Sequence, residues 1–257
     1  MTRIADVQTF IELTRKMRNP ADLDALLRAY TREMGFDHFA LIHHVDLTAA
    51  NQSFDHMTSG QLIALSDYPV EWVERYINDA IVTNDPVVLA SQHSIAGFAW
   101  SEIPDLIPMK PAHFEQMERG RQAGIGDGFT IPSHVPGEAN GSCNFVVRVG
   151  HELPDEGQRM MAQLIGTYAF QAAREIVTHA RTSLRSEVKL TPRQLDCVTL
   201  LGRGKTVWEI SRILGIAEST VKDYIDDARA RYGVGKQIQL VVRAVYDGHV
   251  PLSDLLR

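Results

Sequence analysis

Residues 190–234 read "LTPRQLDCVTLLGRGKTVWEISRILGIAESTVKDYIDDARARYGV" and contain the start and stop signals of three short helices. Thr191 and Thr206 each precede a Gln or Glu by three residues. This is the capping-box pattern, in which each of the two side chains accepts a hydrogen bond from the other residue's backbone N–H. Gly215 supplies a tight turn between the second and third helices. Two short helices joined by a glycine-containing turn predict a helix-turn-helix unit, and "QIQLVVRAVYDG" predicts a fourth helix after it.

A helix-turn-helix unit inserts the N-terminal end of its second, recognition helix into the major groove of DNA. The recognition-helix residues expected to be available to DNA are Ser219, Thr220, Lys222, Asp223 and Asp226. The apolar residues predicted to face the core of this unit are Ile210, Ile213, Leu214, Val221, Ile225 and Ala228. A plain helical bundle without DNA contact is the alternative interpretation of the same spacing.

The segments "LTPRQ", "GKT", "EIS", "LGI", "STVK" and "YGV" resemble, in order, the DNA-binding domain of LuxR-type transcription factors. The resemblance implies that Lys222 contacts a base or a phosphate. It also implies four candidate phosphate contacts, Lys205, Arg212, Arg229 and Arg231. Double-stranded DNA is therefore an expected partner, and phosphate contacts would make the affinity salt-dependent.

The chain departs from that family at three positions of the recognition helix. Ala217 stands where the family usually has a serine cap, and the loss of such a cap costs about 0.5–2 kcal/mol. Asp223 and Asp226 stand where basic or polar residues are common. A carboxylate repels phosphate, although it can accept a hydrogen bond from the amino group of cytosine.

The charge is divided unevenly along the 257 residues. Residues 1–187 hold 15 Lys and Arg against 24 Asp and Glu, a balance of −9, whereas residues 188–257 hold 11 against 8, a balance of +3. An acidic body with a mildly basic tail suggests two domains with different partners. No apolar run approaches the ~20 residues that span a bilayer, and "MTRIADVQTF" has no signal core, so we expect no membrane association and a cytoplasmic protein.

The remaining segments predict a mixed domain ahead of the helix-turn-helix. Residues 4–34 predict two helices, "FDHFALIHHV", "GFTIPSHVP" and "SCNFVVRVG" predict strands, and residues 48–60 predict a loop. A long helix follows, with an expected apolar stripe of Met161, Leu164, Ile165, Tyr168 and Ala172. The predicted fold class is α+β, with an N-terminal α-β-α sandwich around an antiparallel sheet. The predicted domains are residues 1–177 and 189–257, with a linker over 178–188.

The stretch "YPVEWVERYINDAIVTNDPVV", residues 68–88, carries the clearest candidate binding site. Its spacing of four places Tyr68, Trp72 and Tyr76 on one helical face, and Asp85 follows in an Asp-Pro pair. An indole is a donor only, a phenol can donate, and a carboxylate accepts. These groups suit an amphiphile with two carbonyls and an amide N–H in a dry pocket. The alternative is that the aromatic residues are ordinary core.

Together with "DPVV", "FAWSE" and "GFTIP", this stretch resembles the autoinducer-binding domain of quorum-sensing LuxR-type regulators. The resemblance implies an N-acyl-homoserine lactone as signal, with Trp72 on the lactone carbonyl, Asp85 on the amide N–H and Tyr68 on the acyl carbonyl. The residues implied to pack on the ligand or form its walls are Tyr76, Trp100, Val87, Val88, Ala40 and Val147. Ligand binding would stabilise a homodimer that binds a palindromic promoter site and works with RNA polymerase. No cofactor, metal or catalytic residue is expected.

Two rival functions remain open from the sequence. The first is an orphan receptor of the same fold for a non-lactone signal. The second is a lactone-hydrolysing enzyme, since His38, His43 and His44 lie near one predicted strand. No metalloprotease or nucleophile-elbow pattern accompanies these histidines. The glycine-rich "GIGDG" at residues 124–128 lies between a predicted helix and a strand, the reverse of the order that phosphate loops need, so we interpret it as a turn.

Overall fold

The structure is a computed structural model that describes residues 4–44, 63–79, 81–135, 140–181 and 188–256, with the backbone alone over residues 178–181. The chain divides into two compact units, one within residues 1–184 and one mainly over residues 185–257. The predicted loop at residues 48–60 lies outside the described residues.

The first unit contains seven described α-helices and five strands. Its helices are α1 (Ile4–Thr14), α2 (Pro20–Glu33), α3 (Val70–Asn78), α4 (Pro86–Ser91), α5 (Ile103–Leu106), α6 (Pro111–Gln122) and α7 (Glu156–Arg181). Its strands are β1 (His38–His43), β2 (Ala64–Ser66), β3 (Phe98–Ala99), β4 (Ile125–Ser133) and β5 (Gly141–Arg148). Short 3-10 turns cover Ile81–Thr83 and Trp100–Glu102. Because α7 continues to Arg181, the predicted domain end at residue 177 falls inside a helix.

The five strands form one antiparallel sheet in the order β2-β1-β5-β4-β3. Side chains alternate between the two faces of a strand, so the register determines which residues share a face. Phe145 on β5 is paired with Phe39 on β1 and with Phe129 on β4, and these three belong to the main core. The next residue along β5, Asn144, is paired with Ala40 and therefore lies on the opposite face. The predicted sandwich around an antiparallel sheet is confirmed.

The main core lies between one face of the sheet and helices α1, α2 and α7. Phe10, Leu23 and Leu27 of the first two helices are fully buried there, as is Ile165 of α7. Burying one such side chain contributes about 1.5–3 kcal/mol. The opposite face of the sheet is the one that carries the candidate ligand site.

The predicted apolar stripe of α7 is wrong at two positions. Leu164 is 41% exposed and Tyr168 is 38% exposed, whereas Ile165 and Ala172 are buried as expected. The buried side of this helix is made instead by small and apolar residues, which are Ala162, Ala169, Phe170, Ala173 and Ile176. Helical periodicity defines a broad stripe, and contact with the sheet decides which edge of that stripe is covered.

The described residues of the second unit form five helices around a core of their own. They are α8 (Pro192–Gly202), α9 (Val207–Leu214), α10 (Glu218–Tyr232), α11 (Gln237–Tyr246) and α12 (Leu252–Leu255). Both predicted capping boxes are present, at Thr191 and Thr206. Gly215 forms the turn between α9 and α10 with φ +66°, in the left-handed region that glycine adopts at low cost. The fifth helix was not predicted.

The predicted core of this unit is wrong at Ile213. Val221, Ile225 and Ala228 are buried as expected, but Ile213 is 54% exposed. Helix α9 is only eight residues long, and it buries Ile210 and Ser211 instead. Because only these two residues are buried on α9, Ile213, which lies beyond them in the sequence, faces solvent.

The N-terminus of α10 offers a test of helix capping. Ala217 occupies the N-cap position in an extended conformation and makes no side-chain cap hydrogen bond. Replacing Ala217 with Ser would supply an acceptor for the first free N–H groups of the helix, so we expect α10 to be more stable by about 0.5–2 kcal/mol. Slower amide hydrogen exchange across α10 is the measurement. Ala230→Ser, on an exposed position of the same helix, is the control and should give no gain.

Candidate functional site

A cavity of about 310 Å³ lies between the second face of the sheet and helices α3, α4 and α6. Its lining is mainly apolar, as ligand pockets usually are. Eight of the nine predicted ligand-site residues line it, and these are Ala40, Tyr68, Trp72, Tyr76, Asp85, Val87, Val88 and Trp100. The chain thus brings β1, α3, the start of α4 and the turn after β3 around one partly open cavity.

Helix α3 places Trp72 and Tyr76 on the cavity, as the spacing predicted, but Tyr68 lies two residues before the helix begins at Val70, so its predicted place on the same helical face is wrong even though it lines the cavity. Trp72 is buried against Ile125 and Val146 of the sheet, and the rings of Trp72 and Tyr76 lie 6.1 Å apart. Helix α6 packs against the same indole at Gly120, where a Cβ would stand at an ordinary contact distance of 3.7 Å from the ring. The indole is therefore held between a strand and a helix.

Asp85 is buried at the start of α4 and is held at both carboxylate oxygens. Oδ1 accepts from the backbone N–H of Val87 at 2.8 Å, as an N-cap does, and Oδ2 accepts from the Tyr76 hydroxyl at 2.8 Å. Burial raises the pKa of Asp85, while the bonds from Tyr76, Val87 and Val88 and the nearby His113 oppose that rise. A carboxylate has about four lone-pair positions, and the three bonds from Tyr76, Val87 and Val88 leave one with which Asp85 can accept a further hydrogen bond.

Two donors in the cavity remain uncommitted. Within the described residues, neither the indole N–H of Trp72 nor the hydroxyl of Tyr68 has a hydrogen-bond partner. Burial and the neighbouring Asp85 raise the pKa of both Tyr68 and Tyr76 well above the usual value, so both phenols keep their hydrogen. A buried donor without a partner costs about 1–3 kcal/mol. The side of the cavity formed around α3 and the start of α4 therefore offers two donors and one acceptor to a ligand.

Trp100 also lines the cavity, but its polar atom is already used. Its indole N–H donates to Thr130 Oγ1 at 2.9 Å, and the ring lies directly over Gly128 of β4. This fits the prediction that Trp100 offers the ligand a ring face rather than a hydrogen bond.

Val147 was predicted as a wall residue, and that prediction is wrong. It is fully buried in the main core with Phe145 and Cys143, on the α7 side of the sheet. Because the register puts Ala40 opposite Asn144, the cavity side of β5 is the side of Asn144 and Val146. Three residues beyond Asn144, Val147 falls on the other face.

The structure adds polar residues that the sequence did not single out. Ser142 and Asn144 of β5 line the cavity beside Ser66 of β2. Their signal in the sequence is weak, because alternation along "GSCNFVV" shows that they share a face without showing which face it is. Register with β1 resolves that question.

The three histidines considered for a metal site point in different directions. The ring of His38 contacts Asp67, that of His43 packs on Phe170 in the main core, and that of His44 lies beside Ser142. Among the residues that the structure describes, no group of three or more His, Cys, Asp or Glu side chains could hold a metal ion.

The second unit presents the predicted recognition helix with its outer face accessible. Ser219, Lys222, Asp223 and Asp226 are exposed on α10, and Thr220 is half-buried. The core residues Val221, Ile225 and Ala228 define the inner side, and Asp223 lies nearly opposite them on a 3.6-residue helix. The outward face of α10 is therefore acidic at its centre.

Most of the predicted phosphate-contacting residues already have partners within the chain. Arg229 pairs with Asp226 at 2.8 Å and also donates to Gly235 O, and Arg231 donates to Lys189 O. Of the other two predicted phosphate-contacting residues, Arg212 stacks its guanidinium on the ring of Trp208, and Lys205 forms an ion pair with Glu209. Lys222 has no ion-pair or hydrogen-bond partner among the described residues, so its ammonium group is the most readily available.

The charge of α10 gives a direct test of its orientation toward DNA. Asp226→Arg removes a carboxylate from the outward face, breaks the pair with Arg229 and adds a positive charge. If this face meets DNA, affinity for a non-operator duplex should rise about tenfold at low salt. The plot of log affinity against log salt concentration should also become steeper, by about the amount expected for one more phosphate contact. Fluorescence anisotropy across a salt series measures both quantities.

The matched control for that test is Asp196→Arg on α8. Asp196 is an exposed aspartate whose nearest cation, Arg193, is 3.7 Å away, so the charge change is the same in a place not expected to face DNA. Equal gains for both variants, or unchanged or weaker binding for Asp226→Arg, would contradict a DNA-facing α10.

A cavity of about 310 Å³ in one unit and a helix-turn-helix in the other are the features of a ligand-responsive DNA-binding regulator. The chain belongs to the LuxR family of bacterial regulatory proteins. Residues 19–173 match the family model of the autoinducer binding domain, and residues 188–244 match that of the luxR-family regulatory domain. It is accordingly a transcriptional regulator rather than an enzyme.

Curated relatives and solved structures agree with this assignment. The chain is 28% identical over 194 residues to the quorum sensing-dependent transcriptional regulator RpaR of Rhodopseudomonas palustris, covering 75% of this chain and 76% of the relative. It is 24% identical over 232 residues to the transcriptional activator AhyR of Aeromonas hydrophila, covering 88% and 85%. The crystal structure of Escherichia coli SdiA shares the fold, with a TM-score of 0.70 at 20% identity over 95% and 98% of the chains.

SdiA in complex with octanoyl-rac-glycerol matches equally well, with a TM-score of 0.70 at 19% identity over 96% and 97% of the two chains. No helix of the described ranges has the length and apolar character to cross a bilayer.

Proposed function

We propose that the protein senses an N-acyl-homoserine lactone in the cavity and, as a dimer in the cytoplasm, binds a palindromic promoter site. The observation that carries this proposal is the set of uncommitted polar groups: the Trp72 N–H, the Tyr68 O–H and an open lone pair on Asp85. An acyl-homoserine lactone has two carbonyl acceptors and one amide donor near its ring. Two donors and one acceptor grouped around α3 and the start of α4 are the complement of that headgroup.

The assignment of roles follows from the chemistry of each group. The indole of Trp72 serves the lactone carbonyl, the phenol of Tyr68 serves the acyl carbonyl, and Asp85 accepts the amide N–H in a charge-assisted bond. Tyr76 holds Asp85 in place through its hydroxyl and contributes ring surface with Trp100. The walls contributed by Ala40, Val87 and Val88 suit the apolar chain.

A non-lactone amphiphile is the second candidate, because SdiA has been solved with octanoyl-rac-glycerol and shares this fold. An acylglycerol has one ester carbonyl and two hydroxyls but no amide N–H. It would satisfy Tyr68 or Trp72 but would leave Asp85 to accept from a hydroxyl. The two candidates therefore differ in the group that meets the carboxylate.

Thermal unfolding of the full chain separates these candidates. A ligand that binds only the folded state raises Tm in proportion to the logarithm of its concentration over Kd. We expect octanoyl-homoserine lactone to raise Tm more than octanoylglycerol, and ring-opened octanoyl-homoserine to have no effect. Recovery of intact lactone after incubation tests the hydrolase alternative. A flat response to acyl-homoserine lactones of every chain length would refute the proposal.

The exposed side of α7 supports a dimer of the first unit. Met160, Leu164 and Tyr168 follow one another at spacing of four and are 62%, 41% and 38% exposed. Such a row on a long helix presents an apolar strip to solvent, and strips of this kind mark protein–protein contacts. A two-fold contact would place the same strip of a second copy against it.

Leu164→Glu should disrupt that dimer, because it introduces two like charges across a two-fold contact. Sedimentation velocity of the ligand-bound protein should show a shift from dimer to monomer, with Kd for self-association weaker by at least about tenfold. Ile95→Glu is the matched control, since Ile95 is an isolated apolar residue that is 90% exposed in the same unit. Unchanged association for Leu164→Glu would place the dimer contact elsewhere.

A dimer carries two recognition helices, and a helix-turn-helix dimer reads two half-sites about one helical turn apart. This is the physical reason for expecting a palindromic operator. Contact with RNA polymerase at the promoter belongs to the same proposal.

A further inference from the structure

A chain of hydrogen bonds runs through the cavity floor and joins β4, β5, β1 and α4. Its links, with donor–acceptor distances, are Trp100 Nε1 to Thr130 Oγ1 (2.9 Å), Thr130 Oγ1 to Asn144 Oδ1 (2.8 Å), Asn144 Nδ2 to Ser142 Oγ (3.0 Å), Ser142 Oγ to His44 Nε2 (2.8 Å), His44 Nδ1 to Ser91 Oγ (3.4 Å) and Ser91 Oγ to Val88 O (2.7 Å). Ser142 and Asn144 line the cavity, and we call these two residues the polar floor. What the polar floor can offer a ligand depends on where its hydrogens point.

The direction of the chain is set at the tryptophan end. An indole can only donate, so Thr130 Oγ1 accepts from Trp100 and must give its own hydrogen to Asn144 Oδ1. The amide nitrogen of Asn144 also lies 3.2 Å from the backbone carbonyl of Ala40, which can only accept. Both amide hydrogens of Asn144 are therefore used, one on Ala40 and one on Ser142.

The Ser91 end of the chain of hydrogen bonds fixes the same order of donors and acceptors. The single hydroxyl hydrogen of Ser91 is donated to the carbonyl of Val88 at 2.7 Å, so Ser91 Oγ can only accept from His44. The Nδ1 of His44 then carries the ring hydrogen. Burial lowers the pKa of His44 to about 3, so the ring is neutral and its Nε2 holds a lone pair. Ser142 must donate to that nitrogen at 2.8 Å, in preference to Asn144 Oδ1 at 3.4 Å.

The polar floor is therefore left with lone pairs and no spare hydrogen. Ser142 Oγ accepts one bond and donates one, which leaves one lone pair on a residue that lines the cavity. The nearest strand hydroxyl that could donate is on Ser66, which is paired with Ala40 and so lies two strands from Asn144, about 10 Å away. The ring of His43 packs against Phe170 on the opposite face of the sheet.

The geometry points to a signal whose acyl chain carries a hydroxyl group over Ser142 and Asn144. A hydroxyl there donates to the free lone pair of Ser142, whereas a ketone at the same carbon would set its oxygen against acceptors that have no hydrogen to give. An unsubstituted chain supplies no hydrogen-bond donor to the polar floor, so the lone pair of Ser142 stays without a partner. This inference rests on the proposed lactone-sensing function and names the kind of acyl chain within it.

Calorimetric titration of the full chain with a positional series of lactones tests the inference. The series carries either a hydroxyl or a ketone at each acyl carbon from the third to the seventh of one octanoyl chain, together with the unsubstituted lactone. We expect one position at which the hydroxyl compound binds about tenfold more tightly than its ketone counterpart. At that position Ser142→Ala should remove most of the difference.

Ser66→Ala is the matched control, since it deletes the same hydroxyl from the same cavity at two strands' distance, and it should leave the hydroxyl-to-ketone ratio unchanged. Long-range ¹H–¹⁵N correlation of the histidine rings checks the direction independently and should show a hydrogen on Nδ1 of His44 and none on Nε2. A hydrogen on Nε2, or ketones that bind as tightly as hydroxyls at every position, would overturn the inference. If no lactone in the series binds at all, the proposed function fails instead.

Discussion

Asp85→Asn is expected to weaken binding of acyl-homoserine lactone about 100-fold, or roughly 2.7 kcal/mol. The amide of Asn can still cap α4 by accepting from Val87, so the fold should be retained. It cannot offer a second carboxylate oxygen, and its own N–H₂ would face the N–H of the ligand. The charge-assisted bond is lost and two donors oppose each other. Calorimetry measures the affinity, and the rise of Tm on adding lactone should nearly vanish.

Asp85→Ala should lower the stability of the unliganded protein as well as its affinity for lactone. It removes the cap as well, at about 1 kcal/mol, and leaves the buried hydroxyl of Tyr76 without its acceptor. The unliganded protein should therefore unfold at a lower temperature, which Asp85→Asn should not cause. Asp127→Asn is the control, because Asp127 is a partly buried carboxylate of the same unit whose pKa is also raised by burial. If Asp127→Asn lowered lactone affinity as much as Asp85→Asn does, the specific role of Asp85 in ligand binding would be contradicted.

The pH dependence of lactone binding tests whether Asp85 acts through its ionised carboxylate or only by filling space in the cavity wall. Burial raises the pKa of Asp85 above 3.8, so the folded protein without ligand holds this proton more tightly than the unfolded chain does. The contribution of this group to stability is therefore present below pH 3.8 and is lost as the pH rises through the raised value. A ligand N–H favours the ionised form, so lactone affinity should increase over the same interval and then level off. Asp85→Asn should abolish this increase.

Gly128→Ala is expected to have the second large effect, although it adds a single methyl group. A Cβ on Gly128 would lie 2.5 Å from Cε2 and 2.8 Å from Cζ2 of Trp100, closer than any tolerated contact. The indole must shift, which breaks its hydrogen bond to Thr130 and moves one wall of the cavity. Overpacking of this kind typically costs 1–3 kcal/mol. We expect lactone affinity to fall at least about tenfold and the fluorescence of the indole to change.

Gly235→Ala is the control for that substitution. Gly235 has an ordinary backbone conformation, and the nearest atom to an added Cβ is a flexible glutamine oxygen at 3.9 Å. Its effect on lactone binding should be negligible. Wild-type affinity in Gly128→Ala would mean that Trp100 is not a fixed wall of the ligand site.

Local chemistry accounts for what the sequence predicted well. Capping side chains at Thr191 and Thr206 and the glycine at residue 215 act within one turn of the chain, so their pattern can be read directly. The pair Trp72 and Tyr76 on α3 was equally readable, because residues four apart on a helix share a face, whereas Tyr68 reaches the cavity from the segment before the helix. Asp85 was predicted to meet a ligand, but its additional role as the cap of α4 became visible only with the coordinates.

The errors have a common cause, which is that a pattern defines faces without saying what covers them. Val147 was placed in the cavity wall, and only the pairing of Ala40 with Asn144 shows that it lies on the other face. Ile213 and Leu164 are apolar and fall at the edge of a helical stripe, where contact with neighbouring elements decides their exposure. The polar floor escaped notice for the same reason, since a serine and an asparagine in a strand look ordinary until they border a cavity.

The central claim is that a ligand headgroup accepts a hydrogen bond from Trp72 inside the first unit. The chain has three tryptophans, Trp72, Trp100 and Trp208, so ¹⁵N-tryptophan labelling gives three indole N–H signals. Titration with octanoyl-homoserine lactone should move the Trp72 signal strongly downfield as its free N–H gains an acceptor. Trp100, already bonded to Thr130, should move less, and Trp208 on α9 should stay in place. A Trp72 signal that does not change at saturating lactone would contradict the account.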